Sequence, residues 1–214
     1  AVVSEDLAGS EIEGGWNYLA VVFPGFAVMF IFINVAYSAS SLLTERESGT
    51  LRRLLAAPLQ GGSVIAGKML AYTLLACLQV LVLFTVARIL FDMPMGQSPF
   101  GLVVLSLVVA LVSSAMGMMI AGVAKTGNQA SNIGVILGLV LAVIGGCLPM
   151  AGGSTYRAGG FIGTLARLTP HAHALEGYFR LMMENGTVVT VLPQMGILLA
   201  FGVVFFLIAV WRFK

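Results

Sequence analysis

Charge is what this chain has least of. Lys, Arg, Asp and Glu make up 9% of its 214 residues, hydrophobic residues 59%, and the mean hydropathy is +1.01. A soluble domain carries roughly a quarter charged residues. The shortage excludes a soluble globular protein and requires one that lives in a bilayer. The net charge of +2 is too small to argue for nucleic acid, and no such partner is expected. Cysteine is also scarce. Cys77 and Cys147 each lie inside an apolar run, without disulfide-framework or metal-ligand spacing, and read as small buried hydrophobes. No serine or cysteine nucleophile with a positioned base is visible, so no catalytic residue and no metal site is assigned. The chain starts at Ala1 without a methionine or a signal peptide, and we expect it to be part of a longer protein.

What is abundant is hydrocarbon in long runs. A bilayer core needs about 20 apolar residues in helix. Five runs qualify, at about Tyr18 to Leu43, Val64 to Leu90, Phe100 to Ala124, Ile133 to Leu148 and Pro193 to Trp211. The fourth is short and can extend into Asn128–Asn132. The chain is therefore read as all-α, a polytopic membrane protein with a transmembrane domain over 16–214. Residues 1–15, acidic and Gly-rich, read as the end of an extracytoplasmic segment. Trp16 and Tyr18 sit where an interfacial aromatic belt belongs. Basic residues set the orientation: Arg46, Arg52, Arg53, Lys68, Lys125, Arg212 and Lys214 fall on one side, and Arg88, Arg157, Arg167 and Arg180 on the other. The richer side should be cytoplasmic, with the N-terminus of this chain outside and its C-terminus inside.

The scarce charge is concentrated. Glu45, Arg46, Glu47, Arg52 and Arg53 lie within nine positions between two apolar runs. Charges so placed must sit in water or against another protein. The stretch reads as a short helix. Thr44 and Glu47 have capping-box spacing, Leu51, Leu54, Leu55 and Leu59 form one apolar face, and Pro58 with Gly61-Gly62 ends it. Gly49 marks a bend or close approach. An amphipathic helix lying on the membrane surface is the plainer reading, and a docking helix for a cytoplasmic partner the sharper one.

Glu45-Arg46-x-x-Gly49-Thr50-Leu51-x-Arg53-Leu54-Leu55-x-x-Pro58-Leu59, directly after an apolar span, resembles the coupling-helix region of type-2 ATP-binding-cassette (ABC) exporter permeases. The resemblance implies that Glu45, Arg46, Glu47, Gly49, Thr50, Arg52, Arg53, Leu54 and Pro58 dock on a separate ATPase. It implies two ATPase copies, which bind ATP and Mg, and a second permease copy, as homodimer or heterodimer, in the cell (inner or plasma) membrane. It also implies six spans, one preceding this chain and, in one branch, followed by an extracytoplasmic domain that 1–15 would end. Gly62-Ser-Val-Ile-Ala-Gly67-Lys68 copies most of a phosphate-binding loop. But Met69 replaces the hydroxyl residue, no strand precedes it and a span follows, so no cofactor is expected on this chain.

Between the fourth and fifth spans, Phe161–Leu168 is too short to cross. Thr169-Pro170 reads as an N-cap with proline at the first helical position, starting a helix from His171 to Glu184 that Asn185-Gly186 stops. Two short outer re-entrant or interfacial helices are the expectation. The resembling family carries two such helices before its last span. Pro170, His171, His173 and Glu176 read as interfacial polar residues: His171 and His173 do not share a helix face, and His173 with Glu176 is too few for zinc. Small residues at Gly134-x-x-x-Gly138 and Ser113-x-x-x-Gly117-x-x-x-Ala121 mark close helix packing, within the chain or between chains. Asn34, Tyr37, Ser38 and Gln79 are polar groups inside spans and therefore candidates for a translocation path. An ATP-independent secondary transporter or channel is the alternative. The absence of Asp, Glu and Lys from the central stretches argues against it.

Overall fold

A computed structural model describes residues 16–50, 61–148, 157 and 159–213, with side chains omitted for 16–21, 61–65 and 213. Trp16 and Tyr18 as belt residues, and Arg52, Arg53, Leu54 and Pro58 of the docking segment, therefore lie outside what is described. The described residues form eight helices: α1 (Trp16–Ile33), α2 (Val35–Glu47), α3 (Gly61–Phe91), α4 (Pro99–Val123), α5 (Gly127–Ile144), α6 (Gly160–Arg167), α7 (Pro170–Met182) and α8 (Val188–Phe213). Among the described residues five spans are long and apolar enough to cross a membrane; α1 and α2 together supply the first, Val22–Glu47.

The spans run past their apolar edges. Gly61 and Gly62 do not turn the chain but are helical, the first residues of α3. α5 does reach back through Asn128–Asn132 to Gly127, where Thr126 caps it by accepting from the Gln129 N–H at 3.2 Å. α8 starts five residues before Pro193, which sits within the helix. The common cause is the backbone: ending a helix inside hydrocarbon frees N–H and C=O groups that lipid cannot satisfy.

Helix α4 is the most buried span and packs against α1, α2, α3, α5, α7 and α8. Helices α3 and α8 turn Leu, Val and Phe faces outward, as lipid-facing surfaces do. Lipid tails are as apolar as leucine, so the bundle is held by fit. Gly134 and Gly138 supply it. A Cβ on Gly134 would lie 2.6 Å from the Ala36 Cα, and one on Gly138 3.1 Å from the Phe32 carbonyl oxygen. The Gly134/Gly138 pair thus packs within the chain, α5 on α1 and α2. Gly117 does the same for α4, against Ser38 and Val35.

Cross-links fix which helix ends lie together. Glu45 pairs with Lys68, Glu47 with the start of α5, and Arg212 donates to the Gly122 carbonyl at 3.4 Å. The end of α2 and the starts of α3 and α5 therefore share one end of the bundle with the ends of α4 and α8. At the opposite end Phe23 meets Phe91, with ring centroids 5.1 Å apart, and α7 packs against α8, α1, α4 and α5.

Candidate functional site

Three polar regions break the hydrocarbon. The first lies where the first span meets α3 and α4. Asn34 interrupts the first span: α1 ends at Ile33, α2 starts at Val35, and both the Tyr37 and Ser38 N–H groups bond to the Asn34 carbonyl, at 3.1 and 3.3 Å. The Asn34 amide donates to the Gln79 side-chain oxygen across to α3. A cavity of about 420 Å³ opens here, walled by Asn34, Tyr37, Ser38, Gln79, Tyr72 and Ser114 among others. All four residues picked from the sequence as path candidates are on its wall. Ser38 and Ser114 donate back into their own helices, to the Val35 and Ala110 carbonyls at 2.8 and 2.9 Å. Their oxygens remain able to accept, and Ser114 lies 3.0 Å from the Thr73 hydroxyl. Tyr72 and Ser114 were missed. Tyr72 stands seven residues, two helical turns, before Gln79, a spacing that would have placed both on one face.

The second region is the charged end of α2. The expected capping box is not there. The Ser48 N–H bonds to the Thr44 carbonyl at 2.9 Å, so Thr44 to Glu47 form the last turn of a long helix rather than the first turn of a short one. Gly49 then turns the chain with φ +73°, the bend its identity suggested, and Thr50 is helical again. The two carboxylates face inward to this chain. Glu45 Oε2 lies 2.5 Å from Lys68 Nζ, and Glu47 accepts from the Gly127 N–H at 3.0 Å, where an acid at a helix N-terminus is favoured. Gly127 permits this approach: a Cβ there would lie 2.6 Å from the Thr44 hydroxyl. Arg46 is exposed and has no ion pair among the described residues. The phosphate-loop look-alike is helix, and its Lys68 is the partner of Glu45.

The third region is α6 and α7. Thr169 caps α7, accepting from the Ala172 N–H at 3.3 Å, with Pro170 at the first helical position as expected. His171, His173 and Glu176 are all buried among other side chains. Each is accommodated differently. His171 lies with its ring centroid 4.1 Å from that of Phe32, and a Cβ on Gly145 would lie 2.7 Å from its own Cβ. Burial pushes its pKa down to about 3, against a weaker opposing pull from the Gly138 carbonyl, so the ring is neutral. His173 donates from Nε2 to the Arg167 carbonyl at 2.8 Å, and burial lowers its pKa also. Glu176 lies near enough to His173 to pull its pKa weakly upward, and its carboxylate bonds to arginines. It takes Arg157 at 2.8 and 3.0 Å and Arg180 at 2.8 Å, and Arg157 reaches on to Glu184 at 2.7 Å. These bonds raise the pKa of Arg157, Glu176 contributing most. A buried carboxylate is tolerable only with such partners. Among the described residues no group of three His, Cys, Asp or Glu side chains is placed to hold a metal.

The arrangement is a membrane bundle with a polar cavity, a charged hinge at one end and a salt-bridged cap at the other. Over residues 2–211 the sequence matches the family described as ABC-2 family transporter protein. It is also 25% identical over 182 residues to the linearmycin resistance permease protein LnrN of Bacillus subtilis (strain 168). That match covers 85% of this chain and 46% of the relative, so the chain spans about half the relative's length. With nearly its whole length inside the family match, the chain belongs to the ABC-2 family of transporter proteins.

Proposed function

We propose that this chain lines the translocation path of an ATP-driven exporter, paired with a second permease copy and moved by two copies of a separate ATPase. One observation carries the reading. Asn34, Tyr37, Ser41 and Thr44 recur every three or four residues along one exposed face of the first span, with Tyr37 70% exposed. Lipid cannot satisfy such groups at bilayer depth. Another protein surface or a wet path must cover them, and the cavity beside them extends that polar seam into the bundle.

The charged hinge gives the seam a handle. In this reading the Arg46 end of α2 and the segment after Gly49 face the cytoplasm and meet the ATPase, which binds ATP and Mg. Glu45 and Glu47 brace α2 to α3 and α5, so a push on the hinge moves three spans at once. A coupling of this kind requires the hinge to contact two ATPase states differently. The name of the Bacillus relative fits export of a harmful compound.

The test is transport in proteoliposomes holding the full-length permease and an ABC ATPase that co-purifies with it. ATP-dependent export should fall in Asn34→Ala and Tyr37→Ala while the ATPase still co-purifies. Transport driven by an ion gradient without ATP would instead favour a secondary transporter.

A further inference from the structure

A second cavity, about 590 Å³, lies away from the polar seam, between the halves of α3 and α4 farthest from Lys68. Its wall is almost wholly hydrocarbon, including Phe84, Met95, Leu102 and Val103. Val103 is 65% exposed, so the groove opens sideways to whatever surrounds the bundle. Arg88 stands on its wall and Asp92 lies four residues on, beyond the last turn of α3.

Arg88 and Asp92 form an exposed pair with unused capacity. Every polar contact of Arg88 among the described residues runs through Nη1: to the Asp92 carboxylate at 2.7 Å and to the Asp92 and Met93 carbonyls at 3.4 and 3.2 Å. Among those residues nothing takes the N–H groups of Nε and Nη2. Among the same residues the Asp92 carboxylate pairs through Oδ1 alone, and its side chain is 79% exposed. Its backbone holds φ +44°, so the turn, tied by Arg88, fixes where the carboxylate stands.

We propose that this groove binds a bilayer phospholipid with a zwitterionic ethanolamine headgroup. One acyl chain fills the apolar groove, the phosphate takes the free guanidinium N–H groups of Arg88, and the ammonium takes Asp92. A lone arginine would favour any anionic lipid. The neighbouring carboxylate repels a purely anionic head and rewards one whose cation is a primary ammonium, which donates N–H groups where a quaternary choline has none. The inference stands apart from the transport reading, since it concerns a different face of the bundle.

The test uses the purified full-length permease offered equal amounts of phosphatidylethanolamine, phosphatidylglycerol and phosphatidylcholine of identical chains. Retained lipid is counted by native mass spectrometry, and a phosphatidylethanolamine with a photoreactive acyl chain is mapped by peptide. The label should fall within residues 77–107, and phosphatidylethanolamine should be retained over the other two. Arg88→Gln should cut its retention about tenfold, the loss of a charge-assisted hydrogen bond. Asp92→Asn, which keeps a residue tolerant of positive φ, should keep binding but erase the preference over phosphatidylglycerol. Val103→Trp, filling the mouth from an exposed position, should remove the label without changing the elution profile. Label outside 77–107, or phosphatidylglycerol held as tightly as phosphatidylethanolamine by the unsubstituted protein, would overturn the proposal. So would a cross-link from Val103→Cys to a second copy or to an upstream segment of the chain.

Discussion

Glu45 and Lys68 give the account its sharpest test. If Glu45 contacts the ATPase directly, its loss should weaken docking, and nothing done to Lys68 should repair it. If it braces α2 against α3, the two residues form one thermodynamic unit. The pair lies at 2.5 Å with the side chains 34% and 18% exposed, so it is neither free in water nor sealed. Exposed pairs contribute about 0.2–1 kcal/mol and solvent screens this one in part, so about 1 kcal/mol is the expected interaction energy. That is roughly a fivefold change in an equilibrium between two positions of the hinge. The assay is a double-mutant cycle of Glu45→Gln and Lys68→Gln, read in thermal stability and in ATP-dependent transport per ATP consumed. Each single variant should uncouple transport while the ATPase still co-purifies. The exchange of charges, Glu45→Lys with Lys68→Glu, should recover much of the loss. Additive single effects, with the exchanged pair as defective as Glu45→Gln, would refute the brace.

Three further outcomes follow from the packing. Gly134→Val should destabilise the bundle by about 2 kcal/mol or more, since its Cβ would meet backbone and side chain of Ala36 at 2.6 and 2.7 Å; a thermal melt in micelles reads it. Glu176→Gln should cost about 2 kcal/mol by stripping the shared partner of Arg157 and Arg180, and should expose that end of α7 to proteolysis at lower temperature. His171 is neutral when folded, with a pKa near 3 against 6.5 unfolded. The unfolded chain therefore binds the extra proton between those values, and stability present above pH 6.5 is lost as pH falls, by at most about 1.4 kcal/mol per unit. Melting curves from pH 7 to 5 should show that slope, and His171→Phe should flatten it.

The spans were legible because hydrocarbon thickness sets a length that composition alone reveals. Helix caps were legible where chemistry is local, as at Thr169-Pro170. They failed where tertiary context overrides it: Thr44–Glu47 has capping-box spacing, yet the incoming span carries its hydrogen-bond ladder through the motif. The candidate path residues Asn34, Tyr37, Ser38 and Gln79 were recoverable since polar groups in apolar runs stand out. Their neighbours Tyr72 and Ser114 needed the α3–α4 contact to become visible. The buried state of His171 and Glu176 could not be read at all. Arg180 sits four residues from Glu176 on the same helix, but Phe32 and Arg157 come from two other segments, and only their convergence makes burial tolerable.

The most direct measurement is which end of the bundle meets the ATPase. Thr50→Cys and Asp92→Cys, placed at opposite ends, can each be offered a short thiol cross-linker in proteoliposomes with the ATPase. The account predicts a cross-link from position 50 whose yield changes with nucleotide, and none from position 92. A cross-link from position 92, or one from position 50 indifferent to ATP, would contradict it.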